Sequence, residues 1–518
     1  MSERLRELII ALRPEISFRL VKWQYLLVFF LFLVLISIPV FVHLDKPVVR
    51  LWDESRRGIN AYEMYHNGNW LVTHYDGEPE MWGTKPPLLI WLQVISMKIA
   101  GPGELALRIP SAIAAFLTCL VIFLFSARYL KNPLFGLVWA LVLVTSNSYI
   151  DFHAARSGDF DALMTLFMLL YTLSFFKYIE EKKNKDLYLT IIFITLATFT
   201  KGIAGLLFLP GLFLYALLTG SFMMILKNRH TYYGMLIFIV LIAGFYLGRE
   251  AVNPGYLKAV WVNEIGGRYL ETLEKHDKNF WFFLQRLKWP GMIKWWPFIL
   301  PGVITGLMMK EKKFRRLTLF GLIVTVSHLL IISASKTKLE WYNIPEYPYY
   351  ALFIASFTWF IISIIFKISE INKLSILKIL ALVFAVIIFY EPARIMAKKI
   401  FNPTERSWHL KDHQVLYVLR DGLHGRRNLD GYILMDTGPT AHTMFYMNLM
   451  KDKGIDIARK KKENLAPGDK VIAYQPDVKN FIEENYNVVI LEEQSYVRIY
   501  QIEKKLSILD DFYQTPNE

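Results

Sequence analysis

What most constrains this chain is the recurrence of apolar, almost uncharged runs, the first from Tyr25 to Val42. A bilayer core about 30 Å thick is crossed by about 20 apolar helical residues, and soluble domains do not string such runs together. The pattern predicts spans near residues 25–42, 109–127, 133–150, 162–179, 187–200, 202–226, 231–248, 291–309, 317–335, 346–366 and 375–390. A composition of 54% hydrophobic and 20% charged residues fits a chain that lives mostly in lipid. The run from Tyr25 follows Arg4, Arg6, Arg13, Arg19 and Lys22 and has no small-residue cleavage site behind it, so it reads as a retained signal anchor. The run Pro87 to Ile99 is too short to cross and is expected to lie along the interface. With a single cysteine, Cys119, neither an intrachain disulfide nor a thiolate metal cluster can form.

The net charge of +14 is distributed unevenly. With residues 87–99 held at the interface, the loops on one side contain Arg128 and Lys131, Lys182 to Lys185, Lys227 and Arg229, Lys310 to Arg316, then Lys367 and Lys373. Basic loops stay in the cytoplasm, which puts the N-terminus inside and residues 43–108, 151–161, 249–290, 336–345 and the tail outside. The tail lacks a spanning run. Strands are expected at 431–435, 470–474, 487–491 and 496–502, with a helix at 477–485, so residues 391–518 read as a small α/β domain. Asp436 and His442 flank a strand-to-helix turn there, where a helix cap and a solvated histidine suffice as explanation.

The outer segments carry a repeated chemistry. Asp53 and Glu54 precede Arg56 and Arg57; Lys85 precedes Pro86 and Pro87; Asp159 and Asp161 open an apolar helix; and Lys201 stands alone between two apolar runs. The 249–290 loop adds Glu264, Arg268 and His276, and a further segment carries Lys336, Lys338 and Tyr342. Each has a plain structural reading as a helix cap, a dipole partner or a snorkelling cation. Together they supply carboxylates able to take a proton from an acceptor and cations suited to a phosphate at headgroup level. No glycine-rich phosphate loop is present, which argues against nucleotide hydrolysis.

These residues resemble the polyprenol-phosphate-dependent glycosyltransferases of the GT-C class, in the branch of protein O-mannosyltransferases and lipid A aminoarabinose transferases. The carriers are Asp53-Glu54-Ser55-Arg56, Lys85-Pro86, Asp161 before Ala162-Leu163-Met164, Thr200-Lys201-Gly202, and Tyr342 before Pro345. The resemblance runs over about residues 25–350 and stops short of the tail. It implies a polytopic all-α membrane protein of the GT-C type; the runs read above give it about eleven transmembrane helices plus interfacial helices in a catalytic region 1–390, with the tail 391–518 as the soluble α/β domain. It further implies transfer of a hexose or pentose, with inversion, from a polyprenyl-phosphate donor to a lipid, glycan or protein acceptor on the periplasmic face of a bacterial inner membrane.

On that reading Asp53 and Asp161 are catalytic, and Arg56, Lys85, Lys201 and Tyr342 meet the donor phosphate. Glu54, Asp159, Glu264, Arg268, His276 and Lys338 are further substrate-site candidates. A divalent metal is a candidate cofactor. The aminoarabinose transferases place an acid immediately before the Lys-Pro lysine, where this chain has Thr84; Asp76, Glu78, Glu80 or His276 would have to supply ligands instead. The rival readings are a transporter or flippase for lipid-linked sugars, which would line a path through the membrane with its acids, and a glycan polymerase. Nucleic acid is not an expected partner.

Overall fold

The computed structural model describes residues 15–16, 20–151, 153–270, 278–371, 376–403, 409–438, 440–460 and 464–506. Helix α1 (Lys22–Phe41) opens the bundle. A short helix α2 (Asp53–Asn67), a two-stranded ribbon of β1 (His74–Tyr75) and β2 (Glu78–Pro79), and α3 (Leu88–Ala100) fill the first outer segment. At 13 residues, α3 is about 20 Å long, shorter than the thickness of a bilayer core. Ten further apolar helices follow among the described residues: α4 (Glu104–Arg128), α5 (Pro133–Val144), α6 (Asp161–Glu181), α7 (Asn184–Lys201), α8 (Leu209–Leu218), α9 (Arg229–Val252), α10 (Ile299–Met308), α11 (Lys312–Ala334), α12 (Tyr347–Ile371) and α13 (Ile376–Phe401). Each expected run falls on one of them or on α1. Seven helices are long and apolar enough to cross a membrane unaided, whereas α5, α8 and α10 are shorter.

The bundle is built as a lipid solvent requires. Phe32, Ala115, Phe123, Trp139, Met168, Phe176 and Tyr349 share one buried core. Outward-facing positions are apolar too: Leu236, Ile237, Val240, Leu241 and Leu247 on α9 are exposed, an arrangement that only hydrocarbon surroundings make favourable. The basic loops gather on one face, where Arg316 pairs with Glu180 at 2.7 Å and Lys310 pairs with Glu15.

Beyond α13 lie α14 (Leu410–Leu423), β3 (Tyr432–Met435), α15 (Ala441–Asp452), β4 (Ile457–Arg459), β5 (Lys470–Ala473), α16 (Pro476–Asn485), β6 (Tyr486–Gln494) and β7 (Val497–Lys505). The sheet runs β4-β3-β5-β7-β6, parallel among the first three and antiparallel at β5–β7 and β7–β6. Strand β4 is an element the alternation pattern does not reveal: only three residues long, it ends on Arg459 in a stretch that reads as a solvated basic loop. His442 is buried and the Asp436 side chain is 3% exposed, accepting from Thr443 Oγ1 at 2.6 Å and pairing with Arg459 at 3.4 Å. Helix α13 continues unbroken through residue 390. One core joins Ile59 and Met64 of α2, Ile90 and Val94 of α3, and Leu416, Leu419, Phe445 and Leu449 of the tail. The tail thereby grips the two short outer helices, and α2 carries the first candidate acid.

Candidate functional site

Six chain segments meet at one end of the bundle around a cavity of about 420 Å³. Asp53 is the first residue of α2, where a carboxylate favours the helix dipole. Its Oδ1 accepts a hydrogen bond from Arg57 Nη2 at 3.0 Å, one helical turn on. Asp161 is likewise the first residue of α6 and is 1% exposed. Lys201, the last residue of α7, donates Nζ–H to Asp161 Oδ1 at 2.6 Å and lies 5.9 Å from the centre of the Tyr342 ring. Lys85 donates to Glu264 Oε1 at 2.9 Å, which ties the Lys-Pro element to the 249–290 segment. The site thus holds its cations against carboxylates, as charges at a low-dielectric boundary must be held.

Inward from these groups much of the lining is apolar. Met164 lies a turn inward of Asp161, Ile203 to Leu207 continue inward from Lys201, and Ile331 and Ile332 precede Ser335 on α11. The polar groups therefore sit at the helix ends and the apolar wall runs into the bundle, so the cavity can take a charged head and a hydrocarbon tail together.

Three expected site residues are placed elsewhere. Arg56 is held by Glu80 in a forked pair (Nε–Oε2 2.8 Å, Nη2–Oε1 2.9 Å) between the rings of Tyr75 and Trp82 and does not line the cavity. Arg57 takes its place. Glu54 is buried under a bidentate Arg108 (2.7 and 2.9 Å) and accepts from Gly158 N and Arg50 N, each at 2.7 Å. Burial opposes its ionisation, yet the Arg108 charge and hydrogen bonds prevail and hold it at about 2. It is a bracket for three chain segments, because a fully paired buried carboxylate has no lone pair left for a substrate. Lys338 is also buried; its ammonium bonds Ser335 O, and it is absent from the cavity lining. Arg268 belongs to the π-helix Trp261–Leu270, and its side chain, like His276, lies outside the described residues.

Two cavity groups have no counterpart among the expected residues. His153 is buried with a left-handed backbone (φ 65°). Its Nε2 lies 3.7 Å from Asp53 Oδ2, its Nδ1 lies 3.4 Å from Asp159 Oδ2, and its ring stacks on Trp341 at 3.5 Å. No periodicity in the 151–161 loop marks it out. His328 lies deeper, its Nδ1 2.6 Å from the buried Glu346 Oε1; a lone histidine in a spanning run is its only trace in the sequence. Burial pushes the Asp159 carboxyl up to about 7, helped by the negative charges of Asp53 and Glu54, while Ser157 Oγ, which donates to it, pulls the other way.

Among the described residues the expected metal ligands do not converge. Glu80 is committed to Arg56 and to the backbone N–H groups of Trp82 and Gly83. Among the described residues no group of three or more His, Cys, Asp or Glu side chains is placed to hold a metal ion, so the residues seen here do not fit the group and no step is routed through it.

Residues 84–246, which include Lys85, Asp161 and Lys201, match the dolichyl-phosphate-mannose-protein mannosyltransferase family. An uncharacterised protein of Aquifex aeolicus is 27% identical over 64% of this chain and 63% of its own length. An undecaprenyl phosphate-α-4-amino-4-deoxy-L-arabinose arabinosyl transferase of Pseudomonas savastanoi is 26% identical over 57% of this chain and 55% of its own. The matched stretches thus span less than two thirds of these relatives' lengths. In three dimensions the chain superposes on ArnT of Cupriavidus metallidurans, solved with undecaprenyl phosphate, with a TM-score of 0.66 at 15% identity, over 93% of this chain and 98% of that one. The apo form of that protein gives 0.63. The chain is a multi-pass membrane protein with the GT-C fold and a relative of the polyprenyl-phosphate-dependent glycosyltransferases.

Proposed function

We propose that this protein is a membrane glycosyltransferase that takes a sugar, a pentose or hexose, from a polyprenyl-phosphate donor and places it, with inversion, on a lipid, glycan or protein acceptor. The observation that carries the reading is one cavity in which a carboxylate, three cations and an apolar wall adjoin. Asp53 takes the proton of the acceptor hydroxyl as its oxygen bonds to the anomeric carbon. The bond from that carbon to the phosphate oxygen breaks, and its electron pair leaves with the polyprenyl phosphate. Lys85, Lys201 and Arg57, with Tyr342 beside Lys201, face that developing charge, and fixed cations of this kind supply much of the rate in such transfers. Asp161 sets Lys201 and lies where an acceptor would be oriented. The isoprenoid tail runs along Met164, Leu207 and Ile332.

The acids gather at one end of the helices instead of lining a path through them, which favours an enzyme over a transporter. The basic loops on the opposite face support a site on the periplasmic side of a bacterial inner membrane. Mass spectrometry of envelope lipids and glycoproteins from a deletion strain tests the reading. Loss of one sugar modification, restored by the wild-type gene and not by Asp53→Asn, is expected. An unchanged profile would overturn it.

A further inference from the structure

His153 stands between two carboxylates, and the proposed mechanism gives it no task. Resting on Asp53 being the base, we propose that Asp159 and His153 form a relay that positions that base: the Asp159 carboxylic acid donates to His153 Nδ1, and His153 Nε2–H donates to Asp53 Oδ2. The geometry supports each link. The two ring nitrogens face Asp159 Oδ2 at 3.4 Å and Asp53 Oδ2 at 3.7 Å, distances that shorten to hydrogen bonds as a site closes on substrate. Trp341, stacked 3.5 Å away and 14° from parallel, fixes the plane of the ring. The strained φ of 65° is tolerated only because the surroundings over-determine it. Arg57 holds the other oxygen of Asp53 at 3.0 Å, so the base is gripped at both atoms.

The charges around the ring fix the direction of the relay. His153 is faced by Asp53, Asp161, Lys201 and Arg50, and Asp159 by Asp53, Glu54 and Arg57. Burial holds the imidazole neutral, bringing it down to about 4. A neutral imidazole carries one N–H, and the anionic Asp53 attracts it to Nε2. Nδ1 is then an acceptor, which requires that Asp159 keep its proton. When Asp159 ionises, the imidazole proton moves to Nδ1 and the Nε2 lone pair faces the Asp53 carboxylate, which loses its donor. His153 and Asp159 are positioning residues, acting through Asp53.

The test uses the full chain in liposomes containing undecaprenyl phosphate, with ¹⁵N-labelled histidine and solid-state NMR; the His153 signal is assigned by its loss in His153→Phe, which retains a ring to stack on Trp341. At pH 6 His153 should be neutral and protonated at Nε2. It should shift to the Nδ1 form as pH rises through about 7, whereas Asp159→Asn, whose amide always donates, should hold the Nε2 form to pH 8.5. An imidazolium at pH 6, or a tautomer indifferent to Asp159→Asn, would overturn the relay. In turnover with undecaprenyl-phosphate-linked aminoarabinose and lipid A, His153→Phe should lower kcat by about tenfold or more with donor KM little changed. The normalised pH profile of Asp159→Asn should lack the wild-type fall above about 7. Parallel profiles would also overturn the relay, with the base assignment left standing if Asp53→Asn is inactive. Wild-type turnover by Asp53→Asn would overturn both.

Discussion

Neighbouring residues of the same type have opposite duties here, and helical phase decides which. From Asp53, a residue three positions on is rotated by about 60° one way and a residue four positions on by about 40° the other. Arg57 therefore bonds Asp53 and faces the cavity, while Arg56 turns to Glu80. The sequence shows two acids followed by two bases but not the phase at which the helix begins, so the motif is legible and its division of labour is not. Arg57→Ala should lower transfer by about tenfold or more at the chemical step, and Arg56→Ala should act by loosening the β1–β2 ribbon; kcat and KM for each variant separate the two. Glu54 gives a pH prediction. Its folded-state value is depressed from 4.5 to about 2, so its contribution to stability is present above about pH 4.5 and is lost as pH falls towards 2. Glu54→Gln leaves Arg108 buried without a counter-charge, a loss of about 3–5 kcal/mol. Thermal unfolding in detergent should show a lower midpoint for the variant at pH 6 and less further loss on acidification than in the wild type.

Among the elements, the apolar helices are legible in the sequence because each needs only length and apolarity. What does not show is how the helices approach one another. A Cβ on Gly302 of α10 would lie 1.9 Å from Phe353 O of α12, and one on Gly205, just past Lys201, would lie 2.5 Å from Ala197 C and O. No neighbour-independent pattern marks these glycines, since their requirement comes from backbone atoms of other turns or other helices. Gly205→Ala must displace the short 3₁₀ turn Gly202–Leu206 that ends α7 and so shift Lys201 from Asp161. The expected result is a large loss of transfer in a protein that still inserts and elutes as wild type; turnover and size-exclusion profiles measured together check it. The stacking of His153 on Trp341 does not show for a related reason, because the 151–161 and 336–345 segments have no period to read and meet only in three dimensions.

At the scale of the whole molecule, the tail is more than an appendage. Phe445 lies where a Cβ on Gly58 would approach its ring to 2.9 Å, and the shared core of α2, α3, α14 and α15 links the tail to the helix that starts at Asp53. A chain ended at residue 390 should therefore lose transfer and show a lower unfolding midpoint, because it uncovers Ile59, Met64, Ile90 and Val94. The central proposal is that one end of a lipid-embedded bundle holds a base and phosphate-facing cations in one cavity. The most direct test is turnover by the purified full chain in liposomes with undecaprenyl-phosphate-linked aminoarabinose and lipid A, measured as release of undecaprenyl phosphate with glycosylated acceptor. The account predicts acceptor-dependent release that Asp53→Asn abolishes, while that variant still binds undecaprenyl phosphate as the wild type does. Release at the wild-type rate by Asp53→Asn would contradict it.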